Sequence, residues 1–142
     1  MYQSETLANI DLASYLQDLA EALITSYSVD KPLQVDIHCE INYVAPKALV
    51  SYALIFNELI SNSLKHGFKE QPSGLISIDI RWNPDKKLIW IYQDNGKWIL
   101  PSKEVSFGQE LIEDLTNQLD GSYTLDTSGN TTYEFVFPEL VD

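Results

Sequence analysis

At 142 residues, 44% of them hydrophobic, the chain is long enough to bury one real core and too short for two ordinary domains. No apolar run approaches the roughly 20 residues that cross a bilayer, no charged leader precedes a cleavage-like site, and the single cysteine, Cys39, excludes an internal disulfide or a cysteine-built zinc site. A formal net charge of −12 at pH 7 argues against nucleic acid and anionic membrane as partners, since both attract basic surfaces; a cytoplasmic domain that does not insert into the membrane is expected.

Met1 to Ile10 is polar and reads as the tail of a helix. Asp11 then makes an N-cap, and Leu12, Leu16, Leu19, Leu23 and Tyr27 recur at helical spacing until Asp30-Lys31-Pro32 breaks the pattern near Ser28. From Leu33 to Ile41 apolar residues alternate with Gln34, Asp36, His38 and Glu40, which predicts a half-buried strand with His38 toward solvent and Cys39 toward the core. Pro46 suits the first turn of a second helix.

That helix carries the stretch of most interest, Leu54 to Phe68 (LIFNELISNSLKHGF). It is apolar almost all round, with Ala53, Phe56, Ile60 and Leu64 at core spacing, so it should be packed inside the fold. Yet Glu58, Asn62 and Lys65 fall on one face, with His66 just beside it. Two readings stand. Either these are helix polars satisfying one another near a C-terminus, where Lys65 and His66 complement the macrodipole and Gly67 caps, or they line a site.

A second alternating strand follows, with Ile76, Ile78, Ile80 and Trp82 on one face. Asn83-Pro84-Asp85-Lys86 is a turn, so Leu88 to Tyr92 should pair back as a hairpin that ends in Asp94-Asn95-Gly96. Ser106 to Gly121 (SFGQELIEDLTNQLDG) reads as a glycine-led helix that buries Leu111, Ile112, Leu115 and Leu119 and stops at Gly121. Gly108 at its start offers backbone donors and a positive dipole end to an anion. Tyr123 and Leu125, then Tyr133, Phe135 and Phe137, form a closing strand pair around Ser128 to Asn130. Three main helices over one mixed, largely antiparallel sheet make an α+β two-layer sandwich.

NELISNSLKH, DNG, SFG and the Thr131 region, in this order, resemble the N box and glycine boxes of the histidine kinase-like ATPase domain, the Bergerat fold. The resemblance covers nearly the whole chain, with residues 11–142 as the ATPase domain. The opening YQSETLANIDLASYL is similar to the junction after the dimerisation helices in a subfamily of light- and stress-sensing kinases, so residues 1–10 are expected to be a remnant of that junction. The resemblance implies ATP and magnesium as cofactors. Asn62 would be the magnesium ligand, which suits an ion that takes few protein oxygens and shares the rest with phosphates and water. Glu58 would be the catalytic residue that orients or activates the attacking group. Lys65 and His66 would lie where phosphate charge collects. Asp94 would accept from the adenine amino group, which a carboxylate can do while it cannot satisfy a guanine carbonyl. Gly96, Gly108 and Thr131 would complete the nucleotide site.

The chain departs from the pattern in three places. Trp98 stands where DNG is usually followed by a second glycine, the lid between Asp94 and Gly108 is short, and Asn130 precedes Thr131 where glycine is usual. Asparagine tolerates left-handed backbone angles, whereas tryptophan cannot copy glycine's freedom. Trp98 either stacks on the base or packs back with Ile99 and Leu100 as an apolar anchor before Pro101. The resemblance implies the catalytic domain of a two-component sensor histidine kinase, with its own dimerisation helices and a response regulator as partners. The phosphoacceptor must lie outside these residues, because His38 reads as a strand residue and His66 as part of the site. The alternative is a degenerate module of the same fold that acts through protein contacts. A stand-alone serine kinase of the anti-sigma type is a third reading, against which the junction-like opening argues.

Overall fold

The computed structural model describes residues 11–27, 30–41, 46–68, 71–96 and 103–138, and only the backbone of 47 and 103–107. Expectations for residues 1–10, for Trp98 with its apolar anchor, and for the side chains of Ser106 and Phe107 lie outside the described residues. In chain order the elements are α1 (Leu12–Tyr27), β1 (Leu33–Cys39), α2 (Pro46–Asn62), which continues as a π-helical turn (Ser63–Gly67), β2 (Gly74–Trp82), β3 (Leu88–Asp94), α3 (Lys103–Gln118), β4 (Ser122–Asp126) and β5 (Thr131–Phe137).

The five strands form one sheet in the order β1-β2-β3-β5-β4. Only β1 and β2 run parallel, joined by the long crossover through α2, and every other pair is antiparallel. The helices cover one face, with α2 in the middle, α1 beside it over β1 and α3 on its other flank near β4. This is the expected α+β two-layer sandwich, and the period-2 pattern of each strand decides which side chains face the helices. Along β2, β3 and β5 these are Ile76, Ile78 and Ile80, then Leu88, Trp90 and Tyr92, then Tyr133, Phe135 and Phe137, all buried.

Trp90 sits at the middle of that face. Phe56 stacks on it at 4.5 Å, Tyr52 meets it edge-on at 4.4 Å, and Phe137 tilts against it at 4.6 Å. From α2, Leu49, Ile55, Leu59 and Ile60 complete the core, and Leu12, Leu16 and Ala20 join from α1. Because the sandwich has one sheet only, α2 keeps an outer side, and Val50 and Leu54 are 62% and 46% exposed. The expected burial all round is corrected accordingly. Trp82, expected on the core face with Ile80, is exposed at the hairpin end of β2.

Local signals account for most boundaries. Asp11 caps α1 by accepting from the Ala13 N–H at 3.1 Å and the Ser14 hydroxyl at 2.9 Å. Asn83 closes the β2–β3 turn, its Oδ1 accepting from the N–H groups of Asp85 and Lys87, with Lys86 at a φ of 62°. Two glycine expectations are corrected. Gly67 does not cap its helix through a left-handed backbone. Instead the ammonium of Lys31 donates to the carbonyls of Phe68 and Gln71 and holds the chain just past the turn. Nor does Gly121 stop α3, since Asp120 takes the left-handed conformation at a φ of 57°. The N–H of Gly121 returns to the Thr116 carbonyl at 2.9 Å and that of Asp120 to Asn117 at 3.0 Å, a Schellman closure. Asp120→Gly should therefore stabilise the fold by about 0.5–1 kcal/mol, read as a rise in denaturant midpoint at constant m-value. Asp120→Val should lower it.

Three buried tyrosines fix the alkaline limit. Burial pushes the phenols of Tyr52, Tyr92 and Tyr133 above the ordinary value of 10.0. A folded pKa above the unfolded one means that this stability is fully present below about pH 10 and is lost as pH rises through the folded values. Denaturant midpoints should be flat up to that point and fall steeply above it, with these tyrosinates absorbing only as the far-UV circular dichroism disappears.

Candidate functional site

The site forms where α2 runs out over the ends of β3 and β5. The α-helix widens into the π-helical turn at Ser63, a register change common at functional sites. Ser61, Asn62 and Ser63 are consecutively buried. Asp94, the last residue of β3, is 1% exposed on the helix-covered face and lies opposite Thr131, the first residue of β5.

Asp94 is held on both oxygens. Its Oδ2 accepts from the Ser63 hydroxyl at 2.6 Å and its Oδ1 from the Gly96 N–H at 3.0 Å. Gly96 needs to be glycine, because a Cβ there would lie 2.5 Å from the carbonyl carbon of Gly67 and closer still to its oxygen. The loop after β3 thus rests directly on the π-helical turn. Asn95 helps to fix it, its Oδ1 accepting from the Leu75 N–H at 2.9 Å and its own N–H donating to the Leu75 carbonyl at 3.2 Å.

Glu58 and Asn62 come together with Gly108. A Cβ at Gly108 would fall 2.5 Å from Glu58 Oε2 and 3.0 Å from Asn62 Nδ2, so the glycine lets α3 close onto these two side chains. Since α3 begins at Lys103, Gly108 lies in its second turn. Its N–H therefore falls within the helical ladder, and the expected donor role at a helix start is replaced by a space-making one. Tyr133 joins this group. Burial mainly raises its pKa, a side-chain hydrogen bond with Gln109 opposes the shift, and Tyr123, Asp94 and Glu58 add to it.

The ammonium of Lys65 lies 5.5 Å from the centre of the Tyr27 ring on α1. His66 is half-buried in the same turn. Asn130 has no left-handed backbone, so the glycine expected at its position is not required by φ. Sequence reasoning missed Ser63, Tyr92 and Tyr133. Each passes for a helix spacer or a core aromatic until the fold brings it to Asp94 or Glu58.

Two polar atoms are buried here without a hydrogen-bond partner among the described residues, Asn62 Nδ2 and Thr131 Oγ1. Orphaned polar atoms are costly inside a protein; one lies by Glu58 and Gly108 and the other on the residue paired with Asp94, which fits a polar ligand. Among the described residues no three His, Cys, Asp or Glu side chains are grouped to hold a metal. An amide beside a single carboxylate instead suits an ion such as magnesium, which takes few protein ligands.

No family model matches the sequence, and no curated protein matches it. Solved structures do match. The histidine kinase domain of the blue-light activated kinase EL346 from Erythrobacter litoralis aligns with a TM-score of 0.76 at 18% identity, over 96% of this chain and 69% of that one. The Acinetobacter baumannii histidine kinase AdeS aligns at 0.71 and 12% identity, over 93% and 66%. Full-length ShkA, solved in complex with AMPPNP, aligns at 0.70 and 14% identity, over 92% of this chain and 30% of that chain. The chain has the fold of the histidine kinase ATP-binding domain.

Proposed function

We propose that this chain is the ATP-binding catalytic domain of a two-component sensor histidine kinase. It gives the γ-phosphoryl group to a histidine on dimerisation helices outside these residues, from which a response regulator takes it. The observation that carries this reading is the buried carboxylate of Asp94, held by Ser63 and Gly96, in a fold shared with histidine kinases. One structure of that fold contains AMPPNP.

In this reading Asp94 accepts from the adenine amino group, and Thr131 offers its hydroxyl at the same end of the sheet. Asn62 would hold magnesium, which would supply charge neutralisation at the phosphates. Glu58 orients or activates the attacking group. His66 and, once it leaves the Tyr27 ring, the flexible side chain of Lys65 approach the phosphates from the turn. Gly96 and Gly108 provide the close approaches that shape the pocket. A cytoplasmic setting follows, where ATP is available; no described helix is long and apolar enough to cross a membrane.

The test is isothermal titration with a non-hydrolysable ATP analogue, with and without magnesium, against the GTP counterpart. Saturable, adenine-selective binding strengthened by magnesium is expected, and a parent protein carrying the dimerisation helices should form ATP-dependent phosphohistidine. Absence of binding at millimolar ligand would replace this reading with the degenerate module.

A further inference from the structure

Ser63 and Tyr92 form a buried hydroxyl chain that ends on Asp94. Ser63 Oγ lies 2.6 Å from Asp94 Oδ2 and 2.6 Å from the Tyr92 hydroxyl, which is also 3.2 Å from the Leu59 carbonyl. All three side chains are essentially inaccessible to water. Counting protons fixes the direction. An ionised carboxylate only accepts, so the one proton of Ser63 goes to Asp94, and Ser63 Oγ is left to accept from Tyr92. The shorter separation makes Ser63 the main acceptor of the Tyr92 proton, with Leu59 second. Burial first, and then the charge of Asp94, raise the Tyr92 pKa, which keeps the phenol a donor.

Such a chain is an expensive way to fill a core. Two hydroxyls and a carboxylate must be desolvated, where apolar side chains of similar size would pack without that cost. Its effect is to settle the orientation of one carboxylate. That matters to a base, because a carboxylate held as an acceptor rejects an oxo group and takes an amino group.

Resting on the nucleotide-site reading above, we propose that Ser63 and Tyr92 are positioning residues. Their hydroxyl chain holds Asp94 oriented as a hydrogen-bond acceptor, and so sets the preference for a base with an exocyclic amino group over one with an oxo group at the same place.

The experiment titrates the unaltered chain, Ser63→Ala and Tyr92→Phe with the β,γ-imido analogues of ATP and ITP in the presence of magnesium. Tyr92→Phe removes one atom and keeps the ring packing, so it carries the test if Ser63→Ala does not fold. The ratio of ATP-analogue to ITP-analogue affinity should fall about tenfold in Ser63→Ala and about threefold in Tyr92→Phe, mostly through weaker binding of the ATP analogue. A purely structural role would weaken both ligands alike; an unchanged ratio in the folded variants overturns the positioning role while leaving the nucleotide site standing. If the unaltered chain binds neither analogue, the nucleotide reading itself falls and this inference with it.

Discussion

Asp94→Ala is expected to lower affinity for an adenine nucleotide by about 100-fold or more, enough to abolish saturable binding at millimolar ligand. The size follows from the site. Asp94 is 1% exposed, and removing its carboxylate also leaves the Ser63 hydroxyl and the Gly96 N–H, both aimed at it, without their acceptor. Glu58→Gln, which keeps the shape packed against Gly108, should leave binding within about twofold, because uniform binding and chemistry are separate demands. Its expected defect is slow phosphoryl transfer in the parent protein. Titration of both variants, with thermal melts to show that each is folded, checks the prediction. Equal losses of binding would mean that Asp94 is not the residue that reads the base.

Gly96→Ala should be strongly damaging for the addition of a single methyl group. The added Cβ meets the main chain of Gly67, 2.5 Å from its carbonyl carbon, and a backbone group cannot rotate away as a side-chain tip can. The end of β3 and the π-helical turn must separate, which pulls Asp94 from Ser63. A loss of about 2–3 kcal/mol is expected from denaturant unfolding, together with at least about tenfold weaker nucleotide binding. Gly129→Ala, at a turn where an added Cβ would meet nothing within 4 Å, is the matched control and should stay within about 0.5 kcal/mol.

The strands were legible because alternation is a local property. Leu33 to Cys39 and Gly74 to Ile80 each show it, and the Asp11 cap and the Asn83 turn act within four residues of themselves. Legibility failed where the deciding partner is distant or has no residue signature. Lys31 looks like part of a breaker, and only the fold shows it holding carbonyls 37 and 40 residues on. The π-helical turn is a shift of hydrogen-bond register that no residue type announces, and Lys65 within it lies over Tyr27. Ser63 and Tyr92 are 29 residues apart, so their meeting at Asp94 is a tertiary fact. Gly121 misled because helices commonly end on glycine, whereas here Asp120 takes the left-handed angles. Glu58, Asn62, Asp94 and Gly108 were nameable in advance through the boxes they resemble, and the fold does bring them to one end of the sheet.

One helix–strand pair builds both the aromatic core and the candidate site. Phe56 on α2 stacks on Trp90 of β3, and further along the same two elements Ser63 reaches Asp94. The site has no hinge between it and the centre of the molecule. Its amides should exchange with deuterium only on global opening, so Tyr92 to Asp94 belong among the slowest in the chain. A ligand bound there would slow exchange across the whole sheet rather than around itself, and saturation could be followed from any core amide.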